Sequence, residues 1–186
     1  MRMSMIVCMT EDMSIGSKNR LLLSIPPDMR HFKELTTGHI VVMGKNTYLS
    51  LPNRKPLANR INVIISTTMQ DAPEGCLLYK SVDSFIEYYN LMNTHATGSN
   101  YEVFIIGGAQ IYDAFMPYVN RIYVTLLCKK SSDILTPYPS SDNKVVNFPK
   151  SLFDYEWITK ECESSVYVSR EYGFIEYKFM TLDKKV

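Results

Sequence analysis

The chain has 186 residues, 46% hydrophobic and 21% charged, with 20 Lys and Arg against 19 Asp and Glu. That length suits one domain over residues 1–186 with a substantial core, and a net charge of +1 from scattered basic residues argues against nucleic-acid binding. The longest uninterrupted apolar run, residues 5–9, is far below the span a membrane needs; four dispersed cysteines and three histidines outside ligand spacing argue against a metal and fit a reducing, cytoplasmic setting.

In chain order, short continuous apolar runs alternate with helix-patterned segments. Residues 5–9, after Arg2 and before Glu11-Asp12, lack a cleavage pattern and read as a buried first strand. Pro26-Pro27-Asp28 opens a helix whose apolar face carries Met29, Phe32 and Leu35, and Gly38 stops it. Runs 40–43, 62–66, 103–106 and 121–127 predict strands, the first three of them, like 5–9, short and covered on both faces. Helical patterns occupy 47–51, 82–92 and 110–116, the last ending at Pro117. The alternating stretches 156–163 and 174–182, joined through Tyr172-Gly173, predict an antiparallel edge pair. Segments 16–24, 52–60, 67–75 and 131–143 read as loops. This order predicts a three-layer α/β domain with a mixed sheet.

Several strand ends carry residues suited to chemistry. Gly107-Gly108 lies between a strand and a helix, where backbone N–H groups either approach a phosphate or simply make a tight turn. Gly44-Lys45-Asn46-Thr47 repeats that arrangement, as a phosphate contact or a solvated turn. Ser66, Thr67, Lys80 and Ser81 add hydroxyls and a cation of the kind a 2′-phosphate attracts. Asp28 is either a helix cap or a lone carboxylate in an apolar pocket, able to grip a planar amidine-like edge. Arg60 is a solvated loop residue or, beside Leu57, a fork for a carboxylate. His31 is expected to face solvent, and Cys8 and Cys128 read as buried free thiols.

Taken together, these segments resemble the dihydrofolate reductase family, in family order and over nearly the whole chain. The resemblance rests on Ile6-Val-Cys-Met with Ile15-Gly16, on Ile25-Pro-Pro-Asp-Met-Arg-His-Phe-Lys33, and on Val41-Val-Met-Gly-Lys-Asn-Thr-Tyr48. It continues through Pro56-Leu-Ala-Asn-Arg60, Asn62-Val-Ile-Ile-Ser66, Val103-Phe-Ile-Ile-Gly-Gly-Ala-Gln-Ile-Tyr112 and Arg121-Ile-Tyr-Val-Thr125. It implies a mostly parallel twisted sheet of about eight strands flanked by about four helices. It also implies NADPH-dependent reduction of 7,8-dihydrofolate to tetrahydrofolate, in support of one-carbon metabolism and thymidylate synthesis.

By motif position, the resemblance implies that Asp28 binds the pterin edge and assists protonation at N5, while hydride reaches C6. Ile6, Val7, Cys8, Met29, Phe32, Leu51, Leu57, Ile106 and Tyr112 would surround the substrate; Arg60 would clamp its glutamate, and Thr125 would support Asp28. The cofactor would meet Val7, Cys8, Ile15, Gly16, Asn19 and Leu21 on one side. Gly44, Lys45, Asn46, Thr47, Ile65, Ser66, Thr67 and Lys80 would hold it further out, with Ile106, Gly107, Gly108, Ala109, Gln110, Ile111 and Tyr112 between. The Gly107-Gly108 bond would be cis. A monomer is expected, with no thymidylate synthase partner assigned. Leu22-Leu23 stands where the family has a Trp-bearing pair, Leu21 replaces a loop methionine, Ala109 a third glycine, and Gln110 a frequent arginine. Asp133 is the counterpart expected to restrain the active-site loop. A pyrimidine reductase of riboflavin synthesis, which would need neither Asp28 nor Arg60, and a non-catalytic folate- or dinucleotide-binding module are the competing readings.

Overall fold

In a computed structural model of the chain, which describes residues 2–95, 101–135 and 144–185, the apolar runs are continuous because successive side chains enter different layers. Strand β1 (Met3–Thr10) is followed by β2 (Ser14–Ser17), β3 (Arg20–Leu21) and helix α1 (Pro26–Thr36). Then come β4 (Ile40–Gly44), α2 (Lys45–Ser50), β5 (Ile61–Ile65), β6 (Cys76–Tyr79) and α3 (Val82–His95). β7 (Val103–Ile105), α4 (Ala109–Phe115), β8 (Arg121–Leu127) and α5 (Ser131–Leu135) follow, and β9 (Val145–Asn147), β10 (Trp157–Ser169) and β11 (Gly173–Lys184) finish the chain. Eight strands form one sheet in the order β10-β11-β8-β1-β7-β4-β5-β6, and β3-β2-β9 form a smaller one. Pairing is parallel from β8 to β6 and antiparallel at β8–β11 and β11–β10.

Val42, Val63 and Ile105 pack into one apolar cluster with Phe85 and Phe115 from α3 and α4. Their neighbours Val41, Ile64 and Phe104 point the other way, where Phe32 and Leu35 of α1 and Tyr48 of α2 cover them. Alternation across a sheet covered on both faces thus makes three layers from uniformly apolar strands. A third cluster, Leu23, Ile25, Leu127, Ile134, Ile175 and Tyr177, ties the segment before α1 to the antiparallel edge.

The expected strands and helices are present, with three differences. Residues 16–24 are not simply a loop: β2 and β3 form a hairpin whose two turn residues, Lys18 and Asn19, both have positive φ (49° and 58°), as a two-residue type I′ turn demands. Gly16 is required there, because a Cβ would stand 2.6 Å from the Arg20 carbonyl oxygen. The segment expected as a loop over 131–143 begins with α5, with Asp133 accepting from the Lys130 N–H to cap it (3.1 Å), so five helices are described rather than four; 136–143 lie outside the described residues. Strands β6 and β9 carried too little apolar pattern to be anticipated; β6 alternates only partly and β9 has three residues.

Phe115 is fully buried between the sheet and α3, edge-on to Phe85 at 6.0 Å between ring centroids. Phe115→Ala is expected to destabilise the fold by about 3–5 kcal/mol, read as a lower urea midpoint with an unchanged denaturant slope.

Candidate functional site

β1 lies at the centre of the sheet, with later strands added on both sides of it, so the chain reverses direction of travel beside β1. Open α/β sheets place their crevice at such a point, beyond the carboxyl ends of the strands. A cleft opens there. Val7 and Cys8 of β1 form its floor, and the β2–β3 hairpin supplies Ile15, Gly16, Asn19 and Leu21. Thr47 of α2 and the segment Ile106, Gly107, Gly108, Ala109 and Tyr112 form the facing wall. Ser17, Arg20, Ser50 and Val146 also line it, though no sequence pattern singled them out. Val146 arrives through the β2–β9 pairing, a contact between strands about 130 residues apart that local pattern cannot reveal.

The diglycine turn is shaped by its neighbours. The Gly107-Gly108 bond is cis, and Gly107 has φ 107° with its missing Cβ 3.0 Å from the Tyr112 ring. Its carbonyl accepts from the Gly44 N–H at 2.8 Å, joining the ends of β4 and β7. Gly108 faces the Thr47 hydroxyl, which a Cβ would meet at 3.5 Å. Tyr112, fully enclosed, donates its hydroxyl to the Ile6 carbonyl at 2.8 Å, and burial drives its phenol far above the usual range. Ile111 packs under Gly44, while Gln110 and Asn46 point outward.

Asp28 is not a cap. The N-cap of α1 is Ile25, without a side-chain hydrogen bond, and the Asp28 carboxyl is turned inward with 5% exposure. Burial raises its pKa, while a hydrogen bond from the buried Thr125 hydroxyl and the charge of His31 pull it partly back. Its donor Thr125 stands opposite Cys8 in the β1–β8 register, which sets the carboxyl behind the cleft floor rather than among the residues that line the cleft. Burial, then Asp28, pushes the Cys8 thiol well up; Cys8 and Cys128 are half-buried rather than enclosed, and all four cysteines are free. Met29 is 38% exposed and stands at the surface beside Asp28, so of the expected apolar face only Phe32 and Leu35 pack into the core. His31 is also displaced from expectation: it is half-buried, stacked on Phe179 at 4.2 Å between centroids.

Arg60 is held rather than solvated. Its Nε donates to Thr36 at 2.9 Å, its guanidinium reaches Thr37 and the Ala58 carbonyl, and its carbon lies 5.7 Å from the Phe32 ring centre. Phe32, Leu51 and Leu57 pack against the cluster that contains Ile6, so this cation stands at the border of an apolar wall. Ile106, from the end of β7, packs there too.

Beyond α2 lies a polar group. Lys45 Nζ donates to Thr68 Oγ1 at 3.2 Å, and Ser66 Oγ accepts from the Thr68 and Met69 N–H groups. Lys80 Nζ donates to the Met69 carbonyl. Ile65 is buried just before this turn, and Thr67 is exposed, with Thr68 rather than Thr67 meeting Lys45. The turn residue facing a lysine depends on how the chain leaves β5, which composition cannot specify.

The side chain that links the turn leading into the cleft hairpin to α5 is Asp12, not Asp133. Asp12 accepts from Thr10 Oγ1 at 2.6 Å, from the Ser131 N–H at 2.9 Å and from the Ser131 hydroxyl, tying the turn after β1 to the start of α5. Asp133 serves its own helix start instead.

Three comparisons bear on this arrangement. The model of the family described as dihydrofolate reductase matches residues 2–151. Among curated relatives, a dihydrofolate reductase of Bacillus subtilis (strain 168) is 30% identical over 170 residues, covering 87% of this chain and 95% of its own. One from Schistosoma mansoni is 34% identical over 152 residues, covering 76% and 80%. A solved structure of dihydrofolate reductase from Enterococcus faecalis, complexed with NADP(H) and RAB-propyl, superposes with a TM-score of 0.76 at 21% identity, covering 100% of this chain and 97% of that one. At that identity the structural likeness speaks for the fold.

Burial opposes ionisation of Asp12, but the hydrogen bonds from Ser131 and Thr10 win and lower its pKa to about 2. A lowered carboxyl stabilises the folded state above its unfolded value, near 3.8, and that contribution is lost as pH falls toward about 2. Proteolysis of the β2–β3 hairpin should therefore accelerate as pH falls through this window. Asp12→Asn should cut faster at neutral pH and lose that dependence.

Proposed function

The chain belongs to the dihydrofolate reductase family, and from that membership and the geometry of the cleft we propose that it catalyses NADPH-dependent reduction of 7,8-dihydrofolate to tetrahydrofolate. One observation carries the reading beyond family membership: Asp28, the one buried carboxyl among the described residues, is braced by Thr125, which stands opposite Cys8 of a largely apolar cleft.

The residues present suit the cofactor. Gly107, Gly108 and Ala109 line the cleft at the start of α4, where backbone can approach a pyrophosphate closely. The Lys45, Thr68, Ser66 and Lys80 group offers cations and hydroxyls to a 2′-phosphate. Gly44, Asn46, Thr47, Ala109, Gln110 and Ile111 would border the phosphates, and Val7, Ile15, Gly16, Asn19, Leu21 and Ile106 the nicotinamide. When bound, NADPH supplies the hydride.

This chain's residues do the rest. Ile6, Val7, Cys8, Phe32, Leu51, Leu57 and Ile106 form dry walls that hold the pterin flat and exclude water; Met29 borders the outer part of the substrate. Asp28 accepts from the pterin's N3–H and 2-amino group, orienting C6 toward the reductant. A carboxyl whose pKa burial has raised retains its proton nearer to neutral pH, which suits a group that assists protonation at N5. Arg60, fixed by Thr36 and Thr37, presents its fork to the α-carboxylate of the glutamate tail. The balance is dihydrofolate, NADPH and one proton to tetrahydrofolate and NADP⁺. Without a Trp-bearing pair at Leu22-Leu23, that proton path does not use an indole N–H.

The chain acts as a single domain and a monomer in the cytoplasm. No helix among the described residues is long and apolar enough to cross a membrane.

The test is loss of NADPH absorbance on adding dihydrofolate, with NADH alongside. Asp28→Asn is expected to lower turnover by about 10²-fold or more with NADPH affinity unchanged; equal turnover at neutral pH would sink the assigned role. Binding of both ligands without turnover would favour a non-catalytic module. Arg60→Leu is expected to weaken dihydrofolate binding by about 10- to 100-fold, the worth of a charge-assisted pair, measured as a rise in KM with little change in kcat.

A further inference from the structure

Asp28 receives its hydrogen bond from Thr125 on β8, and Thr125 stands directly opposite Phe179 of β11 in the antiparallel register. Phe179 in turn stacks on the imidazole of His31, 4.2 Å between centroids and 24° between planes. His31 lies three residues after Asp28 on α1, one turn along the same face. The four residues therefore close a ring: carboxyl to hydroxyl, across the strand pair to a phenyl, through a stack to an imidazole, and back along the helix.

We infer that His31 is a positioning residue for Asp28: its stack on Phe179 fixes the first turns of α1 against β8 and β11 and holds the imidazole one helical turn from the carboxyl. This rests on the role of Asp28 proposed above.

Other groups do not reproduce the effect. Cys8 from β1 and Tyr112 from α4 feel the charge of Asp28, and burial above all keeps both neutral. From β8 Asp28 meets the uncharged Thr125, and from β11 His31 meets the uncharged Phe179. Lys178, next to Phe179, points to the other face of the strand, where it acts on Cys128. On α1, Arg30, Lys33 and Glu34 are exposed to water. The charge of His31 does act on Asp28, favouring the ionised carboxyl.

His31→Phe keeps an aromatic ring for the stack and removes the charge; His31→Arg keeps a charge at every pH and can still lie flat on Phe179. Two readouts are compared in wild type and both variants. One is the carbon-13 titration of the Asp28 carboxyl, assigned with Asp28→Asn. The other is the pH profile of kcat/KM for dihydrofolate, which falls with rising pH because the reaction consumes a proton. The expected order is Asp28 titrating highest in His31→Phe and lowest in His31→Arg, with wild type between. On the falling limb the Phe variant should be about threefold faster, relative to its own plateau, than the Arg variant, as expected for one screened charge a helical turn away. Coincident carboxyl titrations overturn the inference whether or not the protein turns over. Separated titrations in a wild-type protein that does not reduce dihydrofolate leave the His31–Asp28 link standing and defeat the functional reading instead.

Discussion

Placing one carboxyl among apolar side chains is unfavourable unless the group is hydrogen-bonded, and the surroundings of Asp28 are built around that requirement. The residue comes from the first turn of α1, its hydrogen-bond donor from β8, and Cys8, which that donor faces across the sheet, from β1. A helix, a central strand and its neighbour must be correctly placed together before this carboxyl is tolerated. The antiparallel edge contributes through Phe179 and His31, so even the last strands of the chain bear on a residue near its beginning.

The sheet supplies that placement. Parallel strands need crossovers, and the crossovers place helices on both faces, leaving the carboxyl ends of β4 and β7 free to carry glycine turns. The hydrogen bond from Gly44 to the Gly107 carbonyl holds two of those turns side by side. Tyr112 then reaches back to the Ile6 carbonyl and joins the diglycine segment to the floor of the cleft. Rigid strand ends thus set the distance between the carboxyl, the glycine turns and the Lys45 group, while the hairpin that follows the Asp12 turn supplies the remaining wall. Stiffness below and a tethered hairpin above suit a reaction that depends on holding two flat rings together without water.

Much of this was legible in the order of residues. Runs such as 40–43 and 103–106 are apolar at every position, a pattern suited to strands covered on both faces, and their glycine ends read as phosphate contacts or as plain turns. Asp28 and Arg60 stood out because an acid after two prolines and an arginine beside Leu57 are unusual neighbours of apolar segments. Their alternatives, a cap and a solvated loop, could not be separated locally. What separated them was burial and the partners Thr125, Thr36 and Thr37, all brought from other segments.

The sequence by itself determined the kinds of element, their order and the chemical character of the strand ends, because these depend on spacing within ten or so residues. Tertiary structure alone decided which side chains meet. Asp12 rather than Asp133 links the approach to the hairpin with α5 because the turn after β1 comes to rest beside the start of that helix, far along the chain. Thr68 rather than Thr67 faces Lys45 because the chain turns as it leaves β5. His31 is half-buried rather than solvated because β11 pairs with β8 in the register that sets Phe179 opposite Thr125. Register between distant strands is a property of the whole sheet, since slipping it by one residue would turn every side chain to the other face.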